Sequence, residues 1–113
     1  MKEIKAIIQP FVADKVISAL REMTDLPGVT VSEVKGFGHG RALSRPDSPD
    51  ELEIFGVKKI KLEIVVPDEL AEGVVQLIAK HAHTGNPGDG KIFISTVDEV
   101  VEIRTGEHEA EAS

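Results

Sequence analysis

The chain has 113 residues, 41% of them hydrophobic, which is enough for one modest core and too little for two domains. Its 13 basic and 20 acidic side chains give a formal net charge of −7, which opposes general attraction to nucleic acid or to an anionic membrane surface. It contains no cysteine, which excludes a disulfide framework and a thiolate metal site. The N-terminal residues lack an apolar signal core and no apolar run is long enough to cross a bilayer, so we expect a single cytoplasmic domain over 1–113 without membrane insertion.

The first two segments with clear periodicity predict a strand followed by a helix. In residues 4–9, Ile4, Ala6 and Ile8 occupy every second position, which is the pattern of a strand with one face on a core. In residues 12–23, the main apolar side chains fall at offsets 0, 1, 4 and 7, which is one stripe of a helix. The chain therefore begins as a βα unit.

A turn and a second strand come next. Residues 25–28 include a proline and a glycine, which end the helix. Residues 29–34 are rich in β-branched side chains, which favours a strand. This strand runs into 36–40, where three glycines allow backbone angles that other residues resist.

The segment 39–56 breaks every periodicity. It is polar and carries two prolines, so it cannot fill a core, and we expect a long exposed loop. A structureless loop of this size is uncommon in a compact domain and is usually functional where it occurs. Its basic first part and acidic second part suit docking to a complementary partner surface, although a simply solvated loop fits the same pattern.

The third strand and the second helix follow the loop. Residues 58–67 alternate apolar and polar side chains, which predicts a strand with one face on the core. Val65 interrupts the polar row of the other face, and an oligomer interface would explain it. Asp68 after Pro67 predicts a helix N-cap, and an apolar stripe extends the second helix to about His83.

The last part of the chain completes a recognisable order of elements. Residues 92–94 and 100–103 are two further strand-type runs, and we expect the acidic tail 107–113 to be mobile. The order β-α-β-β-α-β predicts an α+β, ferredoxin-like fold. In that arrangement an antiparallel sheet carries both helices on one face, and the long loop joins the second and third strands.

Two glycine-bearing segments, 35–38 and 84–93, carry the chemistry. Within the second, Gly88-Asp89-Gly90-Lys91 offers close backbone approach, amide donors and one cation, which a phosphate group requires outside the P-loop fold. Either segment alone would also fit an ordinary turn. Together they resemble the P-II signalling family over nearly the whole chain, along with the further matching segments 7–11, 33–36, 61–67 and 104–107.

The resemblance implies a homotrimer that holds an adenine nucleotide, ADP, AMP or ATP, in clefts between subunits, with no permanent cofactor. It implies that Gly36–Gly38 of one protomer and Gly88–Lys91 of another meet around one purine ligand. The nucleotide-binding residues carried over from the family are Ile7, Thr30, Gly36, Phe37, Gly38, His39, Glu63, Val65, Gly88, Asp89, Gly90, Lys91 and Arg104. Core positions for Ile7 and Val65, and a surface ion pair between Glu63 and Arg104, are the alternatives.

Two departures from the family concern phosphate binding. His39 and Glu102 stand where the family usually has arginines directed at phosphates. Each charge-assisted hydrogen bond is worth roughly 1.5 to 3 kcal/mol, so a triphosphate loses more than a diphosphate or monophosphate. The sequence therefore predicts a shift toward ADP or AMP.

Other departures concern the second effector and the modification known in the family. Gly40 and Gln9 replace the glutamine and the lysine with which family members sense 2-oxoglutarate, while Lys59 retains the other ligand-holding lysine. We therefore expect Lys59 as a possible effector-binding residue and weak or absent 2-oxoglutarate sensing. The chain contains no tyrosine, which excludes uridylylation of a loop tyrosine.

The resemblance implies signal transduction. Nucleotide binding orders or releases the 39–56 loop, and the loop regulates a membrane transporter or a cytoplasmic enzyme. The altered loop favours a branch that accompanies bicarbonate or heavy-metal transport. The alternative is a trimeric metal-binding or divalent-metal-tolerance regulator of similar fold, with His39 and Glu102 as candidate ligands. We do not expect an enzyme, because the sequence has no nucleophile with its base and no cofactor fingerprint.

Overall fold

The computed structural model describes residues 1–36 and 56–108. Within these ranges the chain forms four strands and two helices: β1 (Lys2–Ile8), α1 (Pro10–Arg21), β2 (Thr30–Gly36), β3 (Val57–Val66), α2 (Asp68–Ala82) and β4 (Gly90–Thr96). All neighbouring strands are antiparallel, in the order β2-β3-β1-β4. The predicted ferredoxin-like βαββαβ fold is confirmed. The predicted loop 39–56 lies outside the described residues, apart from Gly56.

The core lies between one face of the sheet and the two helices. The alternation in β1 and β3 is confirmed, because every second side chain is buried from Ile4 to Ile8 and from Ile60 to Val66. The core consists of aliphatic side chains, namely Ile4, Ala6, Ile8, Val12, Ala13, Val16, Leu20, Ile60, Leu62, Ile64, Val66, Ala71, Val74, Ile78 and Ala82. Burying one large aliphatic side chain stabilises a fold by about 1.5 to 3 kcal/mol, so this layer holds both helices on the same face of the sheet.

Helix α1 begins two residues earlier than the sequence pattern indicated. Pro10 is its first helical residue, and this position suits proline because a backbone N–H there would have no partner within the helix, so nothing is lost by its absence. Val16 and Leu20 of the predicted stripe are fully buried, and Ile17 and Met23 pack against the core from its edge. The amphipathic helix is therefore confirmed with a shifted start.

The N-cap predicted for helix α2 at Asp68 is wrong. Pro67 is the cap residue, Asp68 is the first helical residue, and no side-chain hydrogen bond caps the helix. The Asp68 carboxylate instead lies 3.0 Å from the N-terminal ammonium of Met1. That contact competes with capping, and its hydrogen bond lowers the pKa of Asp68. The helix extends to Ala82 with His83 as its C-cap, close to the predicted end.

The predicted strand 100–103 is wrong. Val101 forms only an isolated bridge with His108. The backbone N–H of Glu102 donates to the carbonyl of Glu107 at 2.8 Å, and the N–H of Gly106 donates to the carbonyl of Glu102 at 2.7 Å. We call residues 99–108 the C-terminal hairpin. It satisfies its backbone groups locally, so it does not join the sheet; residues 109–113 of the predicted tail lie outside the described residues.

Candidate functional site

The face of the sheet opposite the helices, here called the open face, carries several of the predicted nucleotide-binding residues. The strand register places Ile7 opposite Lys91 of β4 and Thr30 opposite Glu63. Since alternate side chains of a strand share a face, Val65 lies on the same face as Glu63. Ile7 and Val65 are half-buried there and are absent from the core cluster, so neither is an ordinary core residue.

The predicted residues fall into two groups at opposite ends of the open face. One group lies where β1 and β2 end and β4 begins, and it consists of Ile7, Gly36, Gly88, Asp89, Gly90 and Lys91. The other group is Thr30, Glu63 and Val65; Glu63 and Val65 pair with Lys5 and Glu3, which precede Ile7 in β1 by two and four residues. At the strand rise of about 3.4 Å per residue, these two positions lie roughly 7 and 14 Å from Ile7 along the strands.

A depression of about 550 Å³ lies at the second group. Its lining residues come from the start of β1, the turn before β2, the end of β3 and the C-terminal hairpin, and they are Met1, Glu3, Pro27, Gly28, Thr30, Glu63, Val65, Val100 and Glu102. We call it the open-face depression. It brings Glu102 beside the predicted base and ribose residues, and Glu63 Oε1 lies 3.8 Å from Nζ of Lys61.

Residues 84–90, here called the glycine loop, are closed by the carboxylate of Asp89. It accepts hydrogen bonds from the backbone N–H groups of Thr84 (2.7 Å) and Gly85 (2.9 Å) and from the Thr84 hydroxyl. These bonds, with the Thr84 hydroxyl as the largest cause, lower the pKa of Asp89. Asp89 was predicted to contact the nucleotide, which stays a prediction; within the chain its carboxylate organises the loop.

Gly90 joins the glycine loop to β1 by close backbone contact. Its φ is +118°, and a Cβ at this position would lie 1.9 Å from the carbonyl oxygen of Ile7. A side chain therefore cannot be accommodated, which explains the glycine. The start of β4 is held against the end of β1 as a consequence.

Two side chains converge on the carbonyl oxygen of Gly88. Gln9 Nε2 donates to it at 2.7 Å and Lys59 Nζ donates to it at 3.0 Å. Lys59, predicted as an effector-binding residue, is only 8% exposed. Burial lowers the pKa of Lys59, and the nearby Asp89 carboxylate partly opposes that shift.

The charged residues predicted for phosphate binding are exposed. Lys91 lies on the open face at the start of β4, and Arg104 lies in the turn of the C-terminal hairpin. Val100 and Glu102 of the same hairpin line the open-face depression, whereas Lys91 pairs with Ile7 beside the glycine loop.

Part of the predicted site cannot be placed. Phe37, Gly38 and His39 lie outside the described residues, and so does half of the candidate metal pair His39 and Glu102. In residues 1–36 and 56–108 no cluster of three histidine, aspartate or glutamate residues could hold a metal ion. No helix in those ranges is long and apolar enough to cross a membrane.

The sequence pattern did not reveal Gln9 as a partner of the glycine loop. The signal was nevertheless present, because Gln9 continues the alternation of β1 that places Lys5 and Ile7 on the open face. Ile8 pairs with Ile60, so the next position of β1 lies beside Lys59. Extending the strand register by one residue would have placed Gln9 and Lys59 together.

An antiparallel βαββαβ sheet with both helices on one face defines a small domain of ferredoxin-like fold. The family model "Nitrogen regulatory protein P-II" matches residues 1–107. Proteins of that name are 47% identical in Mesorhizobium japonicum and 48% identical in Rhizobium meliloti, each over 107 residues and 95% of both chains. The protein of that name from Azospirillum brasilense is 45% identical over 112 residues and 99% of both chains.

The chain therefore belongs to the P-II family of nitrogen regulatory signalling proteins, as the sequence resemblance indicated. Proteins of this family are trimeric. The relatives are named as regulatory proteins and not as enzymes, which agrees with the expectation from the sequence.

Proposed function

We propose that this protein is a homotrimeric signal transducer that binds an adenine nucleotide between neighbouring protomers and regulates a partner through the 39–56 loop. The observation that carries the proposal is the division of the open face into two groups. One group offers backbone N–H groups and a cation, and the other offers a depression lined by Glu63 and Val65. A nucleotide needs both kinds of surface.

The division suggests how protomers would share the site. A head-to-tail contact that brings the glycine-loop end of one protomer to the open-face depression of the next would create one complete site at each contact, and such contacts close into a ring. Gly36 and Gly88 lie at the same end of the sheet, so this arrangement assigns both to one protomer. Thr30, Glu63 and Val65 would then come from the next protomer, which revises the partition expected from the resemblance.

Each group supplies a different part of nucleotide recognition. Backbone N–H groups of the glycine loop and the Lys91 ammonium would hold phosphates. Glu63 would accept hydrogen bonds from ribose or the adenine amino group, and Val65 and Ile7 would flank the purine. Arg104 of the hairpin would reach the phosphates from the neighbouring protomer. Glu102 lies on the same hairpin as Arg104, so its carboxylate would stand near the phosphates that Arg104 reaches, and its charge would favour ADP or AMP over ATP.

The signal would pass through the loop to a partner in the cytoplasm or at a membrane transporter. The loop chemistry read from the sequence favours bicarbonate or heavy-metal transport over an ammonium channel. Weak 2-oxoglutarate sensing is supported by Lys59, whose ammonium is engaged with Gly88. The metal-regulator alternative gains no support from the part of the chain that the structure describes.

Calorimetric titration with ATP, ADP and AMP tests nucleotide binding directly. We expect saturable binding with ADP or AMP at least as tight as ATP, and strong weakening in Lys91→Met and Glu63→Gln. Absence of binding by all three nucleotides would contradict the proposal.

Subunit mixing tests whether the site is shared. Chains carrying Lys91→Met and chains carrying Glu63→Gln are refolded together in equal amounts. If neighbouring protomers supply the two groups, about a quarter of the sites regain both native residues in a randomly mixed cyclic trimer. Refolding either variant alone is the control, and mixing that restores no binding would show that one protomer supplies both residues.

A further inference from the structure

The carbonyl of Gly88 is held by two side chains, one from Gln9 at the N-cap of α1 and one from Lys59 of β3, although it lies in a loop. We infer that Gln9 and Lys59 are positioning residues for the glycine loop, and that their shared hold on Gly88 sets the affinity for the phosphate part of a nucleotide. This inference rests on the proposed function, because it names what prepares the phosphate-binding end of the same site.

Peptide geometry connects the carbonyl of Gly88 to the amide of Asp89. The two groups belong to one planar trans peptide, so they point in opposite directions. Gln9 Nε2 at 2.7 Å and Lys59 Nζ at 3.0 Å draw the carbonyl toward the end of β1 and the start of β3. The Asp89 N–H is thereby turned away from those strands, which is the direction from which an anion outside the sheet can approach.

The two hydrogen bonds to Gly88 are important because Gly88 is the residue of the loop whose backbone conformation is otherwise least restricted. Its φ is +94°, in the region that glycine enters without penalty, so many backbone arrangements are open to it. The residues on either side are already constrained, since Asp89 is bonded to Thr84 and Gly90 is pressed against Ile7. Gln9 and Lys59 thus remove the main remaining freedom of the segment.

Burial makes the Lys59 contact costly to break. A desolvated ammonium without a partner is strongly unfavourable, and Lys59 is only 8% exposed. No buried side-chain nitrogen or oxygen lacks a partner within residues 1–36 and 56–108. Moving Gly88 away would create such a group, so the buried charge opposes displacement of the loop.

Gln9 adds a second donor without a second charge. A carbonyl oxygen has two lone pairs and can accept both bonds, but two ammonium groups on one oxygen would repel each other. The neutral amide therefore allows the two side chains to meet on Gly88. This also makes Gln9 the cleaner residue for an experiment, because replacing it leaves the charge near the phosphates unchanged.

The test compares three methionine variants, each of which removes donors while retaining an unbranched side chain. Gln9→Met and Lys59→Met each break one bond to Gly88. Lys58→Met is the matched control, because Lys58 is the exposed neighbour whose ammonium lies 3.7 Å from Glu33. Circular dichroism and thermal melting confirm that each variant is folded before it is titrated.

We expect Gln9→Met to raise the Kd for ADP about tenfold, and Lys59→Met to raise it by at least as much, since a lost hydrogen bond of ordinary strength has about that effect. Adenosine affinity should change much less than ADP affinity in Gln9→Met, because Thr30, Glu63 and Val65 of the other group supply most of the proposed base and ribose contacts. Lys58→Met should match the wild type with both ligands. Unchanged ADP affinity in Gln9→Met, or an equal loss for adenosine, overturns the inference.

Hydrogen exchange of the nucleotide-free protein separates this inference from the proposed function. Backbone amides of 85–91 should exchange faster in Gln9→Met and Lys59→Met than in the wild type or Lys58→Met. If the wild type binds no ADP, the proposed function fails. If it binds ADP but exchange in the loop does not change in either variant, the positioning role of Gln9 and Lys59 fails and the proposed function stands.

Discussion

The glycine loop (84–90) and the C-terminal hairpin (99–108) both present a cation predicted to contact phosphate, but they are held in different ways. The loop is bonded to the sheet through Gln9 and Lys59, and Gly90 contacts the backbone of β1. The hairpin is bonded mainly to itself, through Glu102 with Glu107 and through His108 Nδ1, which lies 2.5 Å from Glu99 Oε2. Contacts with the sheet of the same chain fix the conformation of the glycine loop, whereas the hairpin makes few such contacts.

The difference indicates which of the two segments depends on contact with a neighbouring protomer. Every residue from Val101 to His108 is exposed, and the aliphatic side chain of Ile103 is 98% exposed. Ile103 follows Glu102, which lines the open-face depression, so a neighbouring protomer would cover Ile103 in the proposed trimer. The glycine loop is therefore expected to keep its conformation in a lone protomer, whereas the hairpin would gain contacts from a neighbour.

Gly90→Ala should produce the largest effect, because the new Cβ would meet the Ile7 carbonyl. We expect a loss of about 3 kcal/mol or more in the free energy of unfolding, together with loss of nucleotide binding. Urea denaturation followed by circular dichroism measures the change. Gly73→Ala in α2 is the control, because its Cβ meets nothing within 4 Å and should stabilise the helix by about 1 kcal/mol. Equal effects at the two positions would show that the glycine loop is not tightly set.

Ile103→Glu should weaken the trimer, because it would place a charge on an aliphatic surface that we expect to be covered. Loss of one buried aliphatic side chain corresponds to about 1.5 to 3 kcal/mol of association free energy, or roughly a tenfold or greater rise in the dissociation constant. Analytical ultracentrifugation over a dilution series measures it. Val31→Glu, at a 46% exposed position on β2 whose side chain faces away from the open face, is the comparison. A stable trimer in Ile103→Glu would mean that the hairpin is not covered.

Glu102→Arg should favour ATP. The substitution places a cation in the open-face depression, where it can interact with the extra phosphate charge. We expect the Kd for ATP to fall about tenfold and the Kd for ADP to fall less, since an added charge-assisted hydrogen bond is worth about 1.5 kcal/mol. Glu72→Arg on α2 makes the same change of net charge away from the site, and calorimetry of both variants distinguishes a local from a general effect. An equal gain in the two variants would contradict placement of Glu102 near the phosphates.

Acid titration of Asp89 should give the smallest effect. The hydrogen bonds from Thr84 and Gly85 lower its pKa below the ordinary value of 3.8. A carboxyl group with a depressed pKa contributes stability above its unfolded pKa and loses that contribution as the pH falls through the folded value. NMR should therefore show the Thr84 and Gly85 amide protons shifting with a midpoint below 3.8, and no such transition in Asp89→Asn. A midpoint at or above 3.8 would show that the loop is not closed by the charged carboxylate.

Local sequence patterns predicted most of the fold, because the spacing of apolar residues in a strand or helix reflects which of its side chains are buried. The alternation in β1 and β3 and the stripes of the two helices follow from which side chains leave water, so neighbouring residues are sufficient to find them. The run 100–103 has the composition of a strand, yet strand formation also requires a partner, and the chain turns back on itself there. Asp68 has the composition of an N-cap, but the ammonium of Met1 competes for its carboxylate.

The sequence predicted which residues belong to the candidate site, but it did not predict how they are arranged. The resemblance identified Lys59, Asp89 and Gly90, while the structure shows that each of them shapes the glycine loop from within one chain. Gln9 meets Gly88 across a sequence separation of 79 residues. Such a contact depends on strand register, which a short window of sequence does not contain.

The sequence by itself determined most of the secondary structure, the family and the chemical groups available to a ligand, because these depend on side-chain character at regular spacing. The tertiary structure alone decided that Gln9 and Lys59 share one carbonyl, that the predicted ligand residues separate into two ends of the open face, and that the hairpin stays out of the sheet. The physical reason is that hydrogen-bond partners are selected by strand order and register, which bring distant residues within bonding distance.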